Sequence, residues 1–162
     1  MSDIIRKITN IIYNSNSIRK KYLLENPSEK IIMCDASKSV KLDEDKTPEY
    51  GKEWITAKRC VFIFSDKKIK AGKWEIPINQ IDNAELIKFS TLYGKGMVLK
   101  ISTIQNEYYQ FGLQYNKEIE NQNILNFKIS EQKLKLSLFS IIIRIIAISF
   151  LIYYIITKFI IK

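Results

Sequence analysis

The densest group of like charges in the middle of the chain is Lys67, Lys68, Lys70 and Lys73. Ammonium groups this close together attract anions, and beside an anionic lipid surface each contributes roughly 1 kcal/mol. The competing account is a solvated hairpin edge whose lysines deter pairing with other chains. A second contact point lies in the run 91–96, where Leu92, Tyr93 and Lys95 stand beside two glycines. An apolar and aromatic tip of this kind either enters an interface or folds back onto its own domain. Acid–base chemistry has one weak candidate pair, Asp82 and Glu85, which share a face if their segment is helical.

The remaining reactive residues exclude more than they suggest. Cys34 and Cys60 are too far apart for a CxxC redox or zinc motif, and the chain has no histidine. Serine–histidine, cysteine–histidine and histidine–metal mechanisms are therefore excluded. Asp43, Glu44, Asp45 and Glu49 gather in one loop, but Pro48 occupies the position where a calcium-binding EF-hand loop needs glycine. No glycine-rich phosphate loop or nucleophile elbow accompanies them. The chain is expected to be non-catalytic, with no cofactor and no metal.

Lysine and arginine number 26 against 17 acidic residues, a formal charge of +9. The excess is spread out, at +2 over residues 1–29, +3 over 30–116, +1 over 117–135 and +3 beyond. Without a dense basic block there is no electrostatic footprint for nucleic acid, which is not expected as a partner.

The elements that must position these residues follow from periodicity. Ile4, Ile5, Ile8, Ile11 and Ile12 recur on one helical face opposite Arg6, Lys7 and Asn10, predicting a short amphipathic helix. A second helical piece runs from Ser17 through Leu24 to the Asn26-Pro27 stop. The isoleucine face is expected to pack against the rest of the domain, with a membrane-surface role as the alternative. From Lys30 the chain turns to short strand-like runs: Ile31 to Asp35, Ser39 to Leu42, Trp54 to Ser65, Trp74 to Ile78, Leu86 to Phe89, Met97 to Thr103 and Glu107 to Leu113. Cys60, Phe62 and Phe64 alternate with Val61 and Ile63, so the third run is apolar on both faces and belongs in the centre of a sheet. Pro77 argues for an edge or a bend. Asn116 to Gln132 keeps a loose helical spacing and is expected as a closing helix, with Phe127 to Ser130 as an alternative last strand. Six or seven short strands suggest a small antiparallel barrel or sandwich.

From Leu136 to Thr157 the chain carries a single charge, Arg144, and no proline or glycine. About 20 apolar residues span a hydrocarbon core of about 30 Å. Arg144 costs roughly 2.5 to 3.5 kcal/mol at a bilayer centre, whereas the isoleucines, leucines and phenylalanines together favour insertion by about 4 to 8 kcal/mol. Lys133 and Lys135 mark one interface, Lys158 and Lys162 the other. Ser137, Ser140, Arg144 and Ala147 fall on one stripe, a pattern that favours helix association in membranes. The chain is thus expected to be a single-pass membrane protein anchored near its C-terminus, its soluble part cytoplasmic, with no secretory signal peptide. The expected partners are the lipid bilayer, anionic lipid headgroups, and a protein partner or a second copy meeting the tail.

The run from Trp54 to Phe64, where threonine and arginine precede an apolar strand, resembles PH-like and GRAM-like domains. So does Trp74 to Ile81, an apolar strand leading through proline to a further isoleucine, and Met97 to Leu113 looks like their late hairpin. The resemblance covers residues 30–132. It implies a bent β-barrel of about seven antiparallel strands closed by a C-terminal helix; the periodicity and the apolar run read above add an N-terminal amphipathic segment over 1–29 and a transmembrane helix over 133–162. It also implies a membrane-anchored module that recruits a protein or lipid headgroup. The alternative expectation is a subunit of a homo-oligomeric membrane assembly seamed through the C-terminal helix.

Overall fold

A computed structural model describes residues 2–91, 94–132, 135–136 and 138–160. Helices α1 (Ser2–Ile12) and α2 (Ser15–Glu25) are followed by strand β1 (Ile31–Leu42), strand β2 (Glu49–Tyr50) and helix α3 (Lys52–Thr56). Strands β3 (Lys58–Ser65), β4 (Lys68–Ala71) and β5 (Trp74–Pro77) come next, then a 3-10 turn, Ile78–Gln80, and strands β6 (Ile81–Thr91), β7 (Gly94–Thr103) and β8 (Tyr108–Gln114). Helix α4 (Lys117–Glu120), strands β9 (Lys128–Glu131) and β10 (Lys135–Leu136), helix α5 (Leu138–Ile155) and a π-helical turn, Ile156–Ile160, complete the order. The chain divides into two compact units: Met1–Thr47 with Ala57–Lys133, and Pro48–Thr56 with Leu134–Lys162.

The first unit is mainly β, a curled sheet of eight strands in the order β5-β4-β3-β1-β8-β7-β6-β9. Every neighbouring pair is antiparallel except β6 with β9, which is parallel. Strand β3 lies inside the sheet, and its alternation sorts side chains to two faces. Phe62 and Phe64 enter the main core with Met33, Leu99 and Phe111. Val61 and Ile63 enter a smaller cluster with Tyr22 and Ile31. Complete burial of one such large apolar side chain contributes about 1.5 to 3 kcal/mol. Phe62 meets Phe111 with ring centroids 5.1 Å apart, and Trp74 on the edge strand β5 lies edge-on to Tyr109 at 5.9 Å.

Three positions depend on unusual backbone or on a missing side chain. Gly72 takes φ 60° between β4 and β5, a conformation that costs glycine nothing. Gly96 pairs across the ladder with Phe89, whose ring lies so close that a Cβ built at position 96 would meet it at 2.5 Å. Asn14, at φ 52°, separates α1 from α2, asparagine being among the few non-glycine residues that visit this region readily.

Several expected boundaries differ from those observed. Ile31 to Asp35 and Ser39 to Leu42 are one strand, because Ala36, Ser37 and Lys38 continue the pairing with β3. Trp54 to Thr56 belong to α3, and the strand begins only at Lys58. The loop expected at 90–96 is much shorter, since β6 and β7 stay paired as far as Thr91 and Gly94. The expected closing helix over 116–132 is a single turn, α4, after which β9 pairs with β6. Its apolar residues Ile124, Leu125 and Phe127 pack on the main core without regular helix. The wholly antiparallel barrel is therefore corrected to an open curled sheet with one parallel edge strand.

In the second unit, β10 pairs with β2 in parallel, and α5 carries the apolar segment. Its described side chains are exposed throughout Ile141–Ile156.

Candidate functional site

The one carboxylate of β1 organises the N-terminal part of the first unit. Asp35 of β1 is buried, its side chain 1% exposed. Arg6 of α1 donates Nε to both oxygens, at 3.1 and 2.9 Å, Asn10 donates its amide to Oδ1, and Asn116 donates Nδ2 to Oδ2 at 2.8 Å. The Asn10 carbonyl in turn accepts the Ala36 N–H at 2.8 Å. Asn116 accepts the Glu118 N–H at 2.9 Å and so caps α4. A buried charge held this way is compensated by a cation and by hydrogen bonds together.

Arg6 and Asn10 are four residues apart and share a helical face, so their attachment to Asp35 fixes the rotation of α1. The isoleucine face then points away. Ile4, Ile8, Ile11 and Ile12 are 63%, 52%, 76% and 71% exposed. This reverses the expectation that the isoleucines pack against the domain. The small cluster is already closed by Tyr22 of α2 and by Tyr13, and the buried carboxylate is left unmatched unless the polar face turns inward. Lys7 on α1, with Arg19, Lys20, Lys21 and Leu24 on α2, is exposed beside these isoleucines in sequence.

The four lysines singled out from sequence lie on and around β4, where Lys68 and Lys70 meet carboxylates. Lys68 Nζ lies 3.1 Å from Glu75 Oε2 and 3.9 Å from Glu29 Oε1, and over the Tyr22 ring at 5.6 Å. Lys70 pairs with the other Glu75 oxygen, and Lys67 donates to Ser28 Oγ at 2.9 Å. Lys73 is exposed in the β4–β5 turn. The hydrogen bonds from Lys70 and Lys68 hold the Glu75 carboxyl below its ordinary range. Glu29 also accepts from the Tyr22 hydroxyl and, at 2.7 Å, from Ser65 Oγ, and burial together with this carboxylate pushes the Tyr22 phenol well up.

Leu92, Tyr93 and Ser137 lie outside the described residues. Lys95 is exposed, with its ammonium 6.0 Å from the centre of the Tyr115 ring. In α5, Arg144 and Ala147 are exposed, and Ser140 lies on the same helix with its side chain outside the described set. Asp82 and Glu85 lie on β6, a strand and not a helix, so they do not share the helical face an acid–base pair at this spacing needs. Glu85 instead accepts from Ser130 Oγ at 3.0 Å. Among the described residues no three metal-ligating side chains gather, and both cysteines are free. Burial pushes the Cys34 thiol up to about 11. Sequence reasoning missed Asp35, Asn116 and Glu29. Asp35 alone had a legible signal, a lone carboxylate following four apolar residues of a strand.

The sequence model of one family, described as LIN52, retinal tissue protein, matches residues 40–128. No curated protein and no solved structure matches the chain. The match overturns the resemblance to PH-like and GRAM-like domains, since it covers the same strands from the end of β1 to the start of β9. With it falls the expected function, a membrane-anchored module that reads lipid headgroups or assembles through its tail. Among the described residues, one helix, Ile141–Lys158, is long and apolar enough to cross a membrane by length and composition.

Proposed function

Because the chain belongs to the LIN52, retinal tissue protein, family, we propose that it is a non-catalytic subunit of a protein complex and docks its partner on the N-terminal helices. Membership of that family suggests a protein partner. The observation that carries the reading is the outward isoleucine face of α1, four large apolar side chains held in water by the attachment of the opposite face to Asp35. Large exposed apolar groups clustered on one helix face mark interaction surfaces. The test is the native mass of the tagged full chain expressed in its own cells and solubilised in mild detergent. A stable species well above 19.0 kDa, with other subunits in fixed ratio through two unlike purification steps, is expected. Recovery as the lone chain overturns the proposal.

A second reading concerns location alone, and the composition of α5 favours it: the helix lies in a bilayer. Its 18-residue window has a mean hydropathy of 2.0 and none of it is buried. Membrane pellets washed at alkaline pH should retain the full chain, and its release into the wash would refute this location.

A further inference from the structure

Helix α3 lies in the second unit with none of its residues buried. Ile55 is 59% exposed, Lys52 and Thr56 are exposed, and Trp54 is half-buried. Its five residues make about one and a half turns, a helix too short to hold in water without packing to support it.

The strand before α3 fixes where it stands. Strand β2 pairs in parallel with β10, Tyr50 opposite Leu136, so both segments leave the pair at the same end. Each then enters a helix two residues later, α3 at Lys52 and α5 at Leu138. Paired strands lie about 4.8 Å apart, and two extended residues reach at most about 7 Å. The start of α3 is therefore held close to the start of α5 and level with it.

The apolar window of α5 opens at Ile141, about 4.5 Å along the helix from Leu138. The headgroup layer on one side of a bilayer is about 5 to 7 Å deep. With α5 in a bilayer, α3 falls at the depth of that layer. Its residues suit the position. Tryptophan concentrates at membrane–water interfaces, where its ring meets apolar chains and its N–H stays wet, and the stem of Lys52 can carry its ammonium to the water side. Two apolar side chains on so short a helix offer far less than the roughly 800 Å² per partner of a stable protein interface.

We propose that α3 is an interfacial foot, with Trp54 and Ile55 resting among the glycerol groups and upper acyl chains of the leaflet through which α5 enters. The contact is apolar and selects no particular headgroup. It rests on the location of α5 in a bilayer and adds a second point of attachment beside that helix.

The chain has two tryptophans, so Trp74→Phe leaves Trp54 as the only one. The full chain is reconstituted into phosphatidylcholine vesicles whose lipids carry bromines either high or low on the acyl chains, and tryptophan emission is read. High bromines are expected to quench Trp54 by about twofold or more and low bromines clearly less, the order that a ring at the interface gives. With Trp74 kept, Trp54→Phe should abolish this quenching, because Trp74 packs against Tyr109 in the first unit. Quenching that survives Trp54→Phe overturns the proposal, as does stronger quenching by low bromines. Emission that neither bromines nor aqueous iodide quench overturns it in favour of a protein cover, and quenching by iodide alone overturns it by leaving α3 in water. In each of these cases, retention of the chain through an alkaline wash spares the location of α5. Release into the wash refutes that location and the foot with it.

Discussion

Arg6 lays its Nε against both carboxylate oxygens of Asp35, at 3.1 and 2.9 Å, across 29 positions of sequence. This contact sets which side of α1 faces water. Replacing Asp35 with alanine removes the acceptor of Asn10 and leaves Arg6 and Asn116 only the Glu118 carboxylate, 3.8 and 3.0 Å away. The loss should be about 3 kcal/mol in urea unfolding, within the range for one partner of a buried charge pair. Amide exchange along α1 should accelerate in the same variant. The Arg6→Ala and Asp35→Ala costs should sum to more than the double variant loses.

Glu75 gives a pH dependence with a definite sign. Lys70 and Lys68 hold its carboxyl below the ordinary value of 4.5. The folded state therefore gains stability that is complete above the unfolded value and is lost as pH falls through the lower folded one. Melting temperature should decline below about pH 5, and Glu75→Gln should flatten part of that decline. Because Glu75 is 45% exposed, solvent screening keeps the effect small. A variant whose acid limb matches the parent refutes the assignment.

Gly96 is fixed by the ring across from it. Gly96→Val should destabilise the chain by about 1 to 2 kcal/mol, since Phe89 must leave the space it covers. The same substitution in a Phe89→Ala background should cost clearly less, and thermal melts of the four chains measure the difference.

Cys34 should be a slow nucleophile. With its thiol pushed from 9.0 to about 11 by burial, against a weaker opposing pull from Arg19, little thiolate exists near neutrality. Alkylation by iodoacetamide in a Cys60→Ser chain should climb with pH towards a midpoint near 11. A midpoint at the ordinary thiol value would show that the site is open to water.

The strands were legible where pattern and turn chemistry agreed. Val61 to Phe64 alternate on two faces, Pro77 marks an edge, and Asn106, at φ 58°, sits in the turn between β7 and β8. Boundaries failed where pairing overruled composition. Ser37 and Lys38 look like a break, yet β3 and β8 offer their backbone a ladder on both sides. The isoleucine periodicity of α1 correctly gave a helix and a face but could not give its direction. That depends on Asp35, a single charge far along the chain whose burial only the packed sheet reveals. The ion pairs of Lys68 and Lys70 were hidden for a similar reason, because Glu29 and Glu75 reach them only after the chain folds back.

The parallel pairing of β9 with β6 also bears on how the chain acquires its shape. Strands β3 to β5 and β6 to β8 join sequence neighbours through short turns and can zip up locally. Strand β9 must wait until β6 exists and then close a long excursion past α4. The entropy of closing such a loop precedes any return from it. Ile124, Leu125 and Phe127, which cover the main core on the way to β9, should therefore be the last apolar residues to leave water. A chain emerging from the ribosome cannot complete the order of its sheet until residue 131 is free.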